Sequence, residues 1–400
     1  ARTGGSRRMV QDSRKALADN RASAGFRYSL KEILYPIIGV RGEGAHLWDI
    51  DGNRYVDATC GFGVSLFGHQ PDFIQTALHA QLDRGIQIGP QAELAGEAAK
   101  LFTQLTGTDR VAFCNTGSEA VMAALRLVRT VTGRSKVAIF SGSYHGQADL
   151  VLGTAPAHPG APAEPMAPGI TPGMVSDLLV LDYGDPAALE TIKAQGDQLA
   201  AVLIEPVQSR RPDFRPVEFL KELRRLTEAS GTALIFDEMI TGFRMHPQGA
   251  QGLFGIKADL ATYGKVFGGG MPIGAVAGSA RFMDAFDGGF WRYGDDSAPT
   301  AETTFFAGTF NKHPLAMAAA HAVLTHLTEQ GPALQEQLFA KGTALVERLN
   351  ALFQREQAPI EAVGCGSQFR LAFQGNLELL FHRPTRLQRN CYKHNWYQHH

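Results

Sequence analysis

The chain of 400 residues is poor in several features that would have placed it quickly. It has four cysteines, Cys60, Cys114, Cys365 and Cys391, far apart and with no Cys-x-x-Cys pair. That spacing excludes a zinc ribbon, a thioredoxin-type redox motif and a disulfide-stapled small fold. The thiols are read as reduced, as in a cytoplasmic protein, and no metal site is expected. No apolar run reaches the roughly 18 residues of a membrane-spanning helix. Formal net charge is −1, so neither nucleic acid nor an anionic membrane is the expected partner. No Gly-x-Gly-x-x-Gly follows an apolar strand, which leaves a nucleotide-binding oxidoreductase unsupported. No internal repeat is evident. Ala1 to Arg8 contain neither an initiator methionine nor the apolar core of a secretory signal. They read as a cut inside a longer polypeptide, or a trimmed end.

What is present describes a globular protein with room for two domains: 44% hydrophobic and 19% charged residues. The first 27 or so residues are small and polar and read as an entry linker with some helix. Asp51-Gly52-Asn53, between Leu47–Ile50 and Arg54–Asp57, is a hairpin signal, because Asp-Gly tolerates a tight turn. From about residue 90 short apolar strands alternate with helices. The strands are Arg110–Cys114, Lys136–Phe140, Ala201–Ile204 and Ala233–Phe236, and Glu119 to Thr130 has a helical apolar period. This alternation predicts an α/β fold with a mostly parallel sheet covered on both faces. Ligands of such sheets collect at the carboxyl ends of strands. Thr154–Gly169 is expected to be irregular and Pro314–Leu327 a long alanine-rich helix. The expected division is a linker over 1–28, part of a small α+β domain over 29–88, a large domain over 89–330, and the rest of the small domain over 331–400. The pattern becomes abnormal beyond about residue 375.

The residues that carry chemistry follow strand ends. Lys265 is a lone lysine among glycines in Tyr263-Gly264-Lys265-Val266-Phe267-Gly268-Gly269-Gly270. Upstream, Leu234-Ile235-Phe236 runs into Asp237-Glu238. A lysine and a strand-terminal aspartate in this order suit an enzyme of pyridoxal 5′-phosphate (PLP): the amine bonds the coenzyme's aldehyde and the carboxylate keeps the ring nitrogen protonated. Once substrate displaces it, the free amine of Lys265 can move a proton between the substrate's Cα and the coenzyme, which requires a lowered pKa. Asn115-Thr116-Gly117-Ser118-Glu119 opens a helix. Thr116 with Glu119 is a capping box, and the same geometry, with the Ser118 hydroxyl, makes a phosphate site. Tyr144, in Ser143-Tyr144-His145-Gly146, suits a ring lying flat on the coenzyme, or a loop tyrosine packed on the core. His145 is read as a supporting residue. In Glu205-Pro206-Val207-Gln208, Gln208 suits the phenolic oxygen and Glu205 suits pairing with a cation. Met239 suits the ring face opposite Tyr144.

Together these stretches resemble the class III aminotransferases, which include ornithine and 4-aminobutyrate aminotransferases and glutamate-1-semialdehyde aminomutase. The matching pieces also include Gly268 to Gly274 and Gly308-Thr309-Phe310 ahead of Pro314-Leu315-Ala316, over roughly residues 30–372. The resemblance implies a fold-type I PLP-dependent transferase, with Gly117 and Ser118 on the phosphate, Tyr144 on the ring, Gln208 near the ring hydroxyl, Asp237 on the ring nitrogen and Lys265 covalent. It also implies a homodimer in which Thr309 reaches the neighbouring subunit's phosphate.

A finer resemblance is to aminotransferase domains embedded in nonribosomal peptide and polyketide synthases. It rests on Gln208-Ser209-Arg210-Arg211-Pro212-Asp213-Phe214-Arg215-Pro216 and on Phe290-Trp291-Arg292-Tyr293-Gly294-Asp295-Asp296-Ser297. It implies an amino-acid donor and, as acceptor, a β-ketoacyl thioester on an acyl carrier protein, with Arg210, Arg211 and Arg292 as candidates for the phosphopantetheine or carrier surface. The alternatives are an aminomutase needing no separate donor, an ω-amino acid aminotransferase acting on free substrates, and a non-catalytic domain that keeps the fold for assembly.

Overall fold

The computed structural model describes residues 2–20, 26–158 and 161–373. The atypical end beyond residue 375, with Cys391, lies outside the described residues. The chain forms two compact units, whose described parts end at Gln75 and begin at Thr76.

The first unit holds a three-stranded antiparallel sheet of β1 (Gly39–Glu43), β2 (His46–Asp49) and β3 (Arg54–Val56). The expected hairpin joins β2 to β3, with Gly52 at φ +83°. Asp49 locks the turn, its carboxylate accepting from the Asn53 N–H at 2.8 Å and from the Tyr55 hydroxyl at 2.6 Å. Asp51 sits at the N-terminus of the helix Gly4–Ser13 and accepts from the N–H groups of Gly5 and Ser6. An anion there satisfies donors that the helix itself cannot.

The second unit is built on seven strands: β4 (Arg110–Cys114), β5 (Lys136–Phe140), β6 (Leu178–Leu181), β7 (Leu199–Ile204), β8 (Ala233–Asp237), β9 (Leu260–Gly264) and β10 (Gly274–Gly278). Their order across the sheet is β4-β10-β9-β8-β7-β5-β6. Only β10 runs against the rest. Central β7 reads Leu-Ala-Ala-Val-Leu-Ile and is buried throughout, as a strand covered on both faces must be. Six carboxyl ends therefore meet at one edge. No described helix is long and apolar enough to cross a membrane.

The expected helix after β4 is α1 (Gly117–Thr132). Its N-terminus is the capping box read from Thr116 and Glu119: the Glu119 N–H donates to Thr116 Oγ1 at 3.2 Å, and the Glu119 carboxylate accepts from the N–H groups of Thr116 and Asn115. Its apolar face, from Val121 to Val128, is buried on the sheet. The alanine-rich helix is α2 (Pro314–Gln330), and α3 (Ala333–Arg355) leads to the hairpin of β11 (Ile360–Cys365) and β12 (Gln368–Phe373). Within Thr154–Gly169, Glu164–Pro165 pairs with Gly153–Thr154, a small regular piece among described residues that are otherwise irregular there.

β10 was hidden from the sequence pattern. Gly-Ala-Val-Ala-Gly has loop-like composition, yet it lies fully buried between β4 and β9, where small side chains let α1 pack close. A Cβ at Gly278 would run into the Asp259 carbonyl. Gly278→Ala is therefore expected to cost about 1–3 kcal/mol of stability, the usual range for overpacking a filled core. A lower urea midpoint with an unchanged slope is the expected result; an unaltered midpoint contradicts it.

Candidate active site

Five of the six loops that leave the carboxyl edge of the sheet bring residues singled out in the sequence. Asp237 ends β8 and is buried, 3% exposed. Its Oδ2 meets His145 Nδ1 at 2.7 Å, and its Oδ1 accepts the Met239 N–H at 3.1 Å. His145 is equally buried, in the loop after β5. The supporting histidine of the sequence reading thus has a definite partner, 92 positions away.

Glu205, just past β7, is buried, and each oxygen takes one backbone donor: Oε2 from Tyr144 at 2.9 Å and Oε1 from Ser209 at 3.3 Å. Burial pushes its pKa up, while nearby His145 pulls it down. Gln208 is wholly buried and donates from Nε2 to the Ser141 carbonyl at 3.1 Å. Tyr144 itself is 49% exposed, so the cluster opens to solvent at its ring.

Lys265 follows β9 directly. Its φ of +49° lies in the left-handed region, uncommon for a side-chain-bearing residue, and turns the chain into a single 3₁₀ turn, Lys265–Gly268. Below it lies a stack of edge-on rings: Phe102 meets Tyr263 at 5.0 Å, Phe243 at 5.2 Å and Phe267 at 5.3 Å. That fully buried stack fixes the strand and turn carrying the lysine. Burial lowers the Lys265 pKa from its ordinary value. The carboxylates of Asp237 and Glu205 oppose the shift, and the Arg244 guanidinium adds to it.

Met239 packs between the two glycines that flank this cluster: a Cβ at Gly117 would come within 2.7 Å of its sulfur, and one at Gly264 within 2.8 Å. Met239, the first turn of α1 and the Lys265 strand are therefore adjacent. Ser118, in that first turn, accepts the Gln147 N–H at 3.0 Å, which ties the helix start to the Tyr144–His145 loop.

Two further residues emerge that the sequence reading missed. Buried Arg244 donates from Nη1 to Ser367 Oγ at 3.1 Å, and its charge reaches Lys265. Buried Glu238 accepts the N–H groups of Ala250 and Gln251, at 2.9 and 3.0 Å, and the Thr241 hydroxyl, which closes the loop carrying Met239. Burial lifts its pKa to about 7 despite those bonds. The only hint in the sequence was charge within apolar stretches, Glu238 after Phe236-Asp237 and Arg244 after Gly242-Phe243. Cys114, at the end of β4, is no nucleophile, because burial pushes its thiol up to about 12.

The other predicted residues divide between the cluster and the surface. Thr309 is exposed, on the wall of a cleft of about 600 Å³ that none of Lys265, Asp237, Tyr144 or Gln208 lines. Its turn is held near α1 by Asn115 Nδ2, which donates to Asn311 Oδ1 at 3.1 Å. The three arginines separate. Arg210 is half-buried beside Glu205 and Tyr144, whereas Arg211 is exposed, its guanidinium 4.2 Å from the centre of the Phe214 ring. Arg292 is also exposed.

The cluster fits pyridoxal phosphate. It offers a carboxylate backed by histidine, an amine of lowered pKa and a helix N-terminus bearing a hydroxyl. His145 Nε2 and Gln208 Oε1 are buried without a hydrogen-bond partner, an arrangement that costs about 1–3 kcal/mol per group in a finished core and marks a polar pocket. When bound, the coenzyme supplies an electron-accepting ring that stabilises negative charge on substrate carbon. Because Lys265 attacks an aldehyde only as the neutral amine, capture of the coenzyme by the apo protein should speed up as pH rises. The expected midpoint lies below the ordinary lysine value of about 10.4. Stopped-flow absorbance measures it; a midpoint at or above that value contradicts the buried environment.

The Aminotransferase class-III family matches residues 28–375. A glutamate-1-semialdehyde 2,1-aminomutase of Chloroflexus aggregans is 37% identical over 342 residues, 84% of this chain and 75% of that protein. A solved transaminase with PLP bound superposes with a TM-score of 0.81 at 29% identity, covering 92% of this chain and 84% of the other. A β-phenylalanine aminotransferase from Variovorax paradoxus does so with 0.78 at 33%, covering 93% and 80%. The carboxyl-edge cluster of lysine, aspartate and histidine thus sits in a fold-type I transferase, and the chain belongs to the class III aminotransferases, PLP-dependent enzymes.

Proposed function

We propose that this enzyme is an aminotransferase working in two half-reactions, from an amino-acid donor to a keto acceptor, and that the acceptor is a β-ketoacyl thioester on an acyl carrier protein. The observation that carries the transamination reading is the buried Asp237–His145 pair at one strand end, with the pKa-lowered Lys265 at another. In this reading Lys265 would hold the coenzyme covalently, and its amine would move a proton at the substrate's Cα. Asp237, oriented by His145, holds the ring nitrogen protonated. Tyr144 and Met239 bound the two ring faces. Gly117 and Ser118 hold the phosphate at the start of α1, and Gln208 lies near the ring oxygen. Thr309 completes the neighbour's phosphate site in a homodimer, a role that its exposure allows.

Two observations support the acceptor. The likeness to a β-phenylalanine aminotransferase favours chemistry at a β-carbon. The loop 208–216 and the open segment around Arg292 put exposed arginines on the surface, suited to a phosphorylated arm. A second reading, an aminomutase, is favoured by the 37% identity to glutamate-1-semialdehyde 2,1-aminomutase.

Mass spectrometry of a carrier protein loaded with a β-ketoacyl group, incubated with enzyme and a panel of amino acids, separates these readings. The expected result is exchange of the carbonyl oxygen for an amine only when a donor is present. An unchanged acyl group with every donor contradicts the proposed acceptor; isomerisation of a free amino-aldehyde without any donor establishes the aminomutase. Arg211→Ala with Arg292→Ala should slow carrier-bound turnover more than turnover of the free β-keto acid, and equal slowing contradicts the arginine assignment.

A further inference from the structure

Asp237 and Lys265 stand at the ends of neighbouring strands, and a buried side chain outside the cluster links the two. β8 and β9 pair in parallel with Asp237 opposite Thr262, and the Glu238 N–H donates to the Thr262 carbonyl at 2.9 Å. Beyond that bond the strands part, β8 into the loop carrying Met239 and β9 into Lys265. The Glu238 carboxylate then takes the N–H groups of Ala250 and Gln251, in the short helix Gly249–Phe254. A Cβ at Gly249 would strike that carboxylate, so a glycine is needed for the helix to close on it.

Gln251 carries the link onward. It is 8% exposed, and both ends of its amide are used: Oε1 accepts the Ala258 N–H at 2.9 Å and Nε2 donates to the Tyr263 hydroxyl at 3.1 Å. A backbone N–H can only donate, so Ala258 fixes which way the amide points and the nitrogen must face the phenol. Tyr263 is wholly buried, two residues before Lys265, and its ring packs on Phe102 and Phe243. The bonds form a circuit from the residue after Asp237, through Gln251, to the strand that ends in Lys265. Removing either partner of a buried hydrogen bond leaves the other unsatisfied, which makes the circuit stiff.

We propose that Gln251 is a positioning residue for the reaction: by bridging the helix held by Glu238 to Tyr263, it sets the place of Lys265 relative to Asp237, two groups that must act on one coenzyme ring. The proposal rests on the reading that Lys265 holds the coenzyme.

The test compares Gln251→Met, which keeps the length of the side chain without its amide, with Tyr263→Phe, which removes only the hydroxyl and keeps the ring stack. Parent and variants are stripped of coenzyme, and capture of PLP is followed by stopped-flow absorbance across pH. Each variant is expected to capture PLP about 10-fold more slowly, since misplacing a reacting group by about 1 Å costs on the order of 100-fold. The pH midpoint of capture should also rise. A loosened Lys265 is more hydrated, which favours its ammonium form, while the charges that act on it, Asp237, Glu205 and Arg244, are the same in every variant. The double variant should be no slower than either single one, because both break the same link. As a control, Thr232→Val removes a buried bond to the Gly196 carbonyl, 2.9 Å long, at the amino end of β8, and should lower the urea midpoint without altering capture. Capture by Tyr263→Phe with the parent's rate and midpoint, additive slowing in the double variant, or equal slowing in Thr232→Val overturns the role of Gln251. A borohydride-fixed adduct of the parent on a lysine other than Lys265 overturns the underlying reading instead.

Discussion

Charge is buried at the carboxyl edge of this sheet, and the surrounding structure is arranged around that burden. Asp237, His145 and Glu205 are almost without solvent, and Lys265 and Arg210 are close by. Isolated charges in such a place would be costly, so each carboxylate is held by partners. Asp237 has His145 and the Met239 N–H. Glu205 has two backbone donors, and Glu238 has two more and a hydroxyl. These bonds also fix the loops. The same carboxylate that meets an ionic requirement positions Tyr144, and another closes the loop that presses Met239 against Gly117 and Gly264.

Most of the site could be read from the sequence because it follows the ends of strands that are themselves legible. Continuous apolar runs such as Leu199–Ile204 and Ala233–Phe236 announce a covered parallel sheet, and the polar residues just beyond them must gather at one edge. Thr116 and Glu119 gave the start of α1 directly, since capping is a local interaction. The antiparallel β10 was not legible. Its Gly-Ala-Val-Ala-Gly has no strand signature of its own and is a strand only because β4 and β9 flank it and a helix covers it. The same limit hid the bond between His145 and Asp237, which depends on the order of strands rather than on any local pattern. It also hid the differing surroundings of Arg210 and Arg211, adjacent in sequence but one half-buried and the other exposed.

The reaction follows from the same economy of burial. A desolvated lysine is a better nucleophile at neutral pH than a solvated one, and a carboxylate backed by histidine is a fixed counter-charge for a protonated ring. Class III membership sets the coenzyme. Under the proposed reading, acceptor and donor are told apart by surface loops such as 208–216, whose Arg211 is exposed.

The central claim is that Lys265 is the covalent residue of a site whose ring nitrogen is met by Asp237. Borohydride reduction of the coloured protein followed by peptide mass mapping tests it most directly. A single stable coenzyme adduct on the peptide containing Lys265 is the predicted result. An adduct confined to another lysine, or none on a protein that carries its coenzyme, would contradict the account.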